Sequence, residues 1–526
     1  MNMVNTQLFR TAAGALAPKA TVVNEAGGPA YRLSPAHRLA QLAVTGCLGD
    51  TFYANAESQL DDVLALATGV DPEFVAKTAL YARGQAHMKD MPALLAAVLA
   101  VRDVALLARV FDRVVDNGKV LRAFVQIVRS GTVGRKSLGS RPKQLVQRWL
   151  NTATEAQLLH ASIGATPSLA DVVKMVHPKP AEPWRAAWFA WLIGKPYDEA
   201  ALPPATLAFE RFKRARAEGR SIELPDVPFQ MLTTLSLTPK QWTKVALAGS
   251  WQTLRQNLNT LARQQAFEVK GFGAAVAAKL RDPQAVARSR VLPYQLMTAY
   301  HAAGANVPAE VREALQDAMD LALANVPRFA GQVVVCPDVS GSMSSALTGQ
   351  RGSATSVVRC IDVAALVAAA VLNRNRQATV LPFEVKVVPL SLNPRDTVMT
   401  NAAKLAAVGG GGTNCSAPLA ELNRQRAAVD LVILVSDNES WVDANRRGAT
   451  QTMVEWHLLK QRCPGAKLVC IDLQPYATTQ AMEREDILNV GGFSDAVFKQ
   501  IDRFARSQAG PAHWVGEIER VALDPH

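Results

Sequence analysis

Zinc-site spacing is missing from this 526-residue chain: its six cysteines, Cys47, Cys336, Cys360, Cys415, Cys463 and Cys470, stand apart with no C-x-x-C and no Cys/His pairing. Scattered thiols fit a reducing cytoplasm, so a cytoplasmic location is expected. No charged segment leads into an apolar stretch at Met1-Asn2-Met3-Val4-Asn5-Thr6-Gln7, so no secretory signal is expected. Long hydrophobic runs are also lacking. The longest, Ala93 to Val101 and Val363 to Leu372, fall short of the roughly 20 residues a bilayer requires, so they read as buried helices and no membrane role is expected. Charged residues make up 19% and hydrophobic residues 49%, which excludes a disordered chain and describes a globular one of several domains. Acid is in short supply: the net charge is +12 and the pI about 9.5, which points towards a polyanionic partner without identifying it.

Against that background one stretch stands out. Asp338-Val339-Ser340-Gly341-Ser342-Met343 follows the apolar run Val333-Val334-Val335-Cys336. An Asp-x-Ser-x-Ser on a strand-end loop gathers a carboxylate and two hydroxyls around one point, hard oxygen ligands suited to Mg²⁺ or Mn²⁺ rather than Zn²⁺. Gly409-Gly410-Gly411-Gly412-Thr413-Asn414 adds a loop ending in a hydroxyl, and Leu431-Val432-Ile433-Leu434-Val435-Ser436-Asp437 a second buried run ending in a carboxylate. In order, the three segments resemble the metal-ion-dependent adhesion site (MIDAS) of von Willebrand factor A domains. Ser340, Ser342 and Thr413 are then the hydroxyl ligands. Asp338 and Asp437 balance the charge directly or through water, and one position stays open for water or a partner's acidic group. Catalytic alternatives fit worse: no G-x-S-x-G elbow surrounds Ser340, and the glycine run lacks the Gly-Lys-Ser/Thr of a phosphate loop. No catalytic residue is assigned, and the protein is read as a binding protein, not an enzyme.

The chain changes texture along its length. Residues 1–28 read as an irregular arm. From 29 to 328 amphipathic helical patterns follow one another with Pro- and Gly-rich breaks such as His177-Pro178-Lys179-Pro180 and Leu224-Pro225-Asp226-Val227-Pro228. Many short helices with short connections predict stacked helical pairs, an α-solenoid. From 329 to 508, strand-like runs at 331–337, 378–385, 430–436 and 467–473 alternate with helical stretches. This predicts a doubly wound α/β domain with the metal pattern at its strand ends. Residues 509–526 read as a tail.

Between Asp116 and Glu155 there is no acid, while Lys119, Arg122, Arg129, Arg135, Lys136, Arg141, Lys143 and Arg148 fall within that window. Its centre, 129–143, is a glycine/serine loop studded with cations ahead of a helix. Small residues admit phosphates close to backbone N–H groups, and Arg and Lys release counterions on contact, so this is the expected RNA-binding surface. A second acid-free window runs from Val227 to Phe267. The run Arg211 to Arg216 reads instead as a solvated helix face. Trp184, Trp188 and Trp191, at helical spacing, read as core rather than base-stacking platforms.

Taken together, the chain resembles the Ro 60 kDa autoantigen family, whose helical part is called the TROVE domain. The likeness rests on an ordered set of segments: Gly46 to Tyr53, the Gly134-Arg135-Lys136 loop leading into Gln147-Arg148-Trp149, Asp171 to Pro180, Leu254 to Leu258, Ser289 to Pro293, Thr413 to Ser416 and Ser436 to Glu439. The lack of long insertions is similar to a bacterial member. The resemblance implies a ring of HEAT-like repeats closed by the A domain. It implies binding of small noncoding Y-like RNA on the outer basic surface and of single-stranded 3′ ends of misfolded RNA in the central hole. It also implies work in RNA quality control beside an exoribonuclease such as polynucleotide phosphorylase, with the protein a monomer. Carried over by position, it places RNA contacts at Arg135, Lys136, Lys143 and Arg148; the charge pattern adds Arg129 and Arg141 from the same window, and Lys174, His177 and Lys179 are further candidates. The chain departs from the family where Pro167-Ser168-Leu169-Ala170-Asp171 lacks a histidine and a lysine of the animal pattern. The alternative reading is a metal-dependent protein-interaction scaffold that does not bind RNA directly.

Overall fold

Runs of β-branched and aliphatic residues with no polar break form strands buried on both faces, and these build the α/β part. In the computed structural model β3 (Val333–Pro337), β5 (Leu431–Ser436) and β8 (Ile487–Gly491) are buried at every position, and β6 (Lys467–Asp472) at all but its first. With β4 (Thr379–Val380) they make a five-stranded sheet of order β4-β3-β5-β6-β8, paired in parallel throughout. Two short strands at the N-terminal end, β1 (Val22–Val23) and β2 (Pro29–Arg32), form a hairpin that pairs with β7 (Thr478–Thr479) in a second, three-stranded sheet. The structure describes residues 17–45, 56–220, 222–289, 291, 293–323, 326–347, 358–441, 448–492, 495–507 and 513–524. Cys47 and the Gly46 to Tyr53 segment lie outside them.

By compactness the chain divides into two units, Met1–Val70 with Leu292–Thr298 and Met319–Arg520, and Asp71–Val291 with Ala299–Ala318 and Val521–His526. This cut differs from the one that composition suggests, because residues 17–45 pack with the α/β sheet. His37 reaches the carbonyl of Asn489 at 3.0 Å and meets Trp514 edge to face, and Gly491 sits against Gln41 and Thr45. The stretch read as an irregular arm, where it is described, holds the strand β1, paired with β2 just beyond it. The tail carries a helix, His513–Glu519, with Trp514 and Ile518 buried.

The helical unit has the stacked-pair pattern. Helix Pro72–Gly84 packs on Asp90–Arg102 and on Val104–Val114; Asp90–Arg102 packs on Gly118–Ser130; Val104–Val114 packs on Ser140–Thr152. Helices thus pack on their next neighbours along the chain, and some on the adjacent one as well, which is how a solenoid buries a continuous core. Helix starts carry the caps expected of Ser, Thr, Asp and Asn: Thr154, Ser168 and Thr238 each close a capping box.

Of the predicted strand at 378–385 only Thr379–Val380 is regular, and β8 and the helix Val398–Ala406 carry no signal strong enough to be read in advance. β8 contains Asn489 and Gly491, which break the apolar pattern. Asn489 is nonetheless buried and bonds Thr479 Oγ1 at 2.8 Å and Glu483 Oε2 at 2.7 Å. Trp456 anchors the sheet's cover, fully buried with its Nε1–H donating to Asp486 at 2.9 Å. Trp456→Ala should cost about 3–5 kcal/mol, read as a lowered denaturant midpoint for the α/β unit.

Candidate metal centre and basic face

Parallel pairing of β3 with β5 sets Val333 beside Leu431 and Pro337 beside Val435, so Asp338 and Asp437 leave the sheet at the same edge. The strand order turns here, with β4 on one side of β3 and β5 on the other, and such a switch point opens a crevice at the carboxyl ends of the strands. The backbone of Asp338 donates to Val435 at 2.9 Å. Its carboxylate accepts from Ser436 Oγ at 2.5 Å and from the Ser340 N–H at 2.8 Å. Asp437 accepts from the Glu439 N–H at 3.3 Å and keeps its second oxygen without a partner among the described residues.

The glycine run closes the site. Gly341 N–H donates to the Gly411 carbonyl and Gly410 N–H to the Val339 carbonyl, both at 3.0 Å, so the two loops are laced together. Gly410 and Gly411 have φ of 144° and 72°, open to glycine and costly for other residues. A side chain at Gly412 would meet the Trp441 ring at 2.3 Å. The run is therefore a close-packed loop. It delivers Thr413, whose hydroxyl donates to Ser340 Oγ at 2.9 Å, and Ser340 and Ser342 hydroxyls lie 3.3 Å apart. All five predicted ligands, Asp338, Ser340, Ser342, Thr413 and Asp437, are buried and converge.

Two further carboxylates back this site. Asp472 ends β6 in register with Ser436, is fully buried, and has both oxygens unpartnered among the described residues. Glu439 is also fully buried, with one oxygen taking the Ala26 N–H at 3.3 Å and the other unpartnered. The signal for Asp472 was present in Leu468-Val469-Cys470-Ile471-Asp472, an apolar run ending in a carboxylate, as in the segment that exposed Asp437. Burial, then the charge of Asp437, pushes Asp338 above the usual carboxylate range; burial does the same to Asp437. Asp472 is raised by burial and by Asp437, and Glu439 by burial, Asp437 and Asp472 to about 9. The groups acting on this cluster are carboxylates, hydroxyls and amides, not a lysine or arginine. An orphaned Asp437 oxygen among clustered hydroxyls fits a hard divalent cation, which would supply the missing positive charge. Among the described residues no three His, Cys, Asp or Glu side chains converge as a metal cluster, so the donor set rests on two carboxylates and three hydroxyls.

On the helical unit, the acid-free stretch spans helix Gly118–Ser130, a loop with glycines at positive φ (Gly131, Gly134, Gly139), and helix Ser140–Thr152. Helix Leu169–Val176 packs against both helices, bringing Lys174, His177 and Lys179 to the same neighbourhood. The Gln147 amide fastens its end, donating to the Val176 carbonyl at 2.6 Å, and His177 is the helix C-cap in the left-handed region. The cations have different fates. Arg122 is buried and serves the Pro167 and Ile163 carbonyls. Arg135 is half-buried over Gly139, bonding the Ala100 carbonyl at 3.1 Å. Arg148 pairs with Asp112 at 2.8 Å, an acid brought in from the neighbouring helix Val104–Val114. Arg129, Lys136 and Arg141 are exposed and Lys143 half-exposed, without an ion pair among the described residues. In the run 211–216, Lys213 pairs with Glu210 and Arg214 with Glu199, as a solvated face should. Trp149, Trp188, Trp242 and Trp251 are buried core, not stacking platforms.

The architecture is that of a von Willebrand factor A-type domain carried by a chain of stacked helical pairs. Residues 332–505 match the family model of the Ro60 vWA domain. The RNA-binding protein RO60 of Deinococcus radiodurans is 25% identical over 523 residues, 93% of this chain and 96% of that protein. The crystal structure of the Deinococcus radiodurans RO (RSR) protein superposes with a TM-score of 0.60 at 22% identity, covering 90% of this chain and all of that one. The resemblance to the Ro family read from the sequence is thus borne out, and the relative is named as an RNA-binding protein. No helix among the described residues is long and apolar enough to cross a membrane.

A carboxyl whose folded value is raised binds its proton more tightly in the folded state than in the unfolded one. It contributes stability at low pH that is lost as pH rises from the ordinary carboxylate range through the folded value. For Glu439 that window ends near 9. In chelator, the α/β unit should therefore melt at a lower temperature near pH 9 than near pH 6, and Asp472→Asn should shrink the difference. Calorimetry at the two pH values checks it.

Proposed function

We propose that this protein is a non-catalytic RNA-binding scaffold, with RNA held by the helical unit and a divalent cation, Mg²⁺ or Mn²⁺, held by the α/β unit. The observation that carries the RNA reading is the set of unpaired cations Arg129, Lys136, Arg141 and Lys143 around one glycine-rich loop. The name of the Deinococcus relative supports it. Unpaired exposed cations are free to release counterions against phosphate, whereas Arg122 and Arg135 hold the fold together. Arg148 sits between these cases. Its ion pair is exposed on both sides and worth at most about 1 kcal/mol, so phosphate can displace Asp112.

The ligand in this reading is a small structured noncoding RNA of the Y type, together with single-stranded 3′ ends of misfolded RNA. The complex works beside an exoribonuclease such as polynucleotide phosphorylase in the cytoplasm. Contacts to phosphate position RNA without reading its sequence, which suits a protein that takes many defective RNAs. Charge reversal at Lys136, Arg141 and Lys143 should weaken binding of structured RNA at least tenfold across sequences. It should also reduce the slope of log K against log salt by about one per lost phosphate contact. An unchanged slope in filter binding would remove RNA from this face.

A second reading is favoured by one feature of the cation site. Trp441 and Val385 are exposed to 45% and 44%, large apolar groups left in water. Each is tied to the Thr413 loop, Trp441 over Gly412 and Val385 through its carbonyl to the Asn414 amide at 3.0 Å. A protein partner offering a carboxylate to the cation and an apolar side chain to this rim would use both. Capture of a purified exoribonuclease should then be lost with chelator and with Asp437→Ala, while RNA binding persists.

A further inference from the structure

The N-terminal hairpin is built against the metal loop rather than against the sheet alone. Asn24 is buried, and its side chain makes two bonds in opposite directions. Its Oδ1 accepts the Gly28 N–H at 2.7 Å, closing the hairpin turn, while its Nδ2 donates to the Ser440 carbonyl at 2.7 Å. Gly28 lies so close that a Cβ there would stand 2.2 Å from the Ser440 oxygen. Ala26 adds its N–H to the buried Glu439 carboxylate at 3.3 Å. All three contacts fall within three residues of Asp437. The hairpin also reaches the segment where the chain is next described: Ala20 N–H donates to the Gly448 carbonyl at 2.8 Å, and Tyr31 Oη accepts the Thr450 N–H at 3.4 Å. Pairing of β2 with β7 fixes the hairpin from its other edge.

We propose that this hairpin is a working part of the cation site: Asn24 and Gly28 are positioning residues that hold the backbone of Asp437 to Ser440 so that the Asp437 and Glu439 carboxylates face the ion. The Glu439 carboxylate is buried two residues after a ligand and anchored through one oxygen by Ala26. Its other oxygen is free to meet the ion's water shell. A loop of this kind, left to itself, would let two buried like charges move apart into water; the hairpin's amides oppose that. Coupling runs both ways. If the hairpin stabilises the ion-binding form of the loop, the ion must stabilise the hairpin by the same factor.

The inference rests on the divalent-cation reading of the site, and the test separates the two. Full-length protein is titrated with MgCl₂ by calorimetry. Asn24→Ser keeps a short acceptor for the Gly28 N–H but cannot reach Ser440, and Gly28→Ala places a methyl against the Ser440 carbonyl. Each should weaken Mg²⁺ binding about tenfold, equivalent to about 1.4 kcal/mol. Val23→Thr, in the same hairpin but 65% exposed, should stay within about twofold. In the wild-type protein, Mg²⁺ should raise hydrogen-exchange protection at Ala26 and Gly28, a readout that needs no variant to fold. Wild-type binding with unchanged affinity in both variants and no change in hairpin protection overturns the hairpin's role and leaves the cation site standing. Absence of Mg²⁺ binding by the wild type, or binding that survives Asp437→Ala, overturns the cation reading itself and this inference with it.

Discussion

Two carboxylates out of water and side by side are an unfavourable arrangement, and the α/β part of this protein is organised around keeping one. Parallel pairing of β3 and β5 makes Asp338 and Asp437 leave the sheet together. Asp472 and Glu439 add to the same electrostatic load. Desolvation alone would drive these groups to keep their protons. What keeps the site usable is the surrounding set of donors: Ser436 and the Ser340 amide on Asp338, the Glu439 amide on Asp437, and the Ala26 amide on Glu439. The remaining lone pairs and the three clustered hydroxyls are what a hard cation needs. The glycine run, the close approach of Gly28 and the N-terminal hairpin all pack on the loops of this site.

The helical unit is governed by a different constraint. A solenoid buries each helix against its neighbours, and long cationic side chains at those seams are drawn into structural work. Arg122 and Arg135 satisfy carbonyls at the ends of neighbouring segments, where an unpaired C=O would otherwise be costly. What remains for a polyanion is the subset at the loop tip and helix start. There, glycines at positive φ turn the chain outwards, so that Arg129, Lys136 and Arg141 are exposed and Lys143 is partly so. The basic face is thus smaller than the acid-free window, though richer in unpaired charge for its size.

Much of this was legible in one dimension. Strand-end carboxylates announce themselves as apolar runs ending in Asp, and capping residues mark helix starts, because both rest on local chemistry. Asp338 and Asp437 were readable for that reason, with Ser340, Ser342 and Thr413 following from the loops beside them, and Asp472 could have been read by the same rule. Glu439 and Asn24 could not. Their meaning comes from a contact between residues more than four hundred positions apart. The short strands Val22–Val23 and Pro29–Arg32 were equally silent, since two to four residues around Gly27-Gly28 show no periodicity; they are held in place by pairing with each other and, for Pro29–Arg32, with Thr478–Thr479.

By itself the sequence determined which residues could bind a hard cation, where helices and buried strands would form, and that a long stretch carries only positive charge. These are properties of neighbours along the chain: hydrophobic period, turn chemistry and ligand type. Tertiary structure alone decided which cations are free. Asp112 crosses from another helix to Arg148, and the Ala100 carbonyl claims Arg135. It also decided that the N-terminal segment packs on the loop after Asp437, because burial and hydrogen bonding act between surfaces that meet only after the chain has folded.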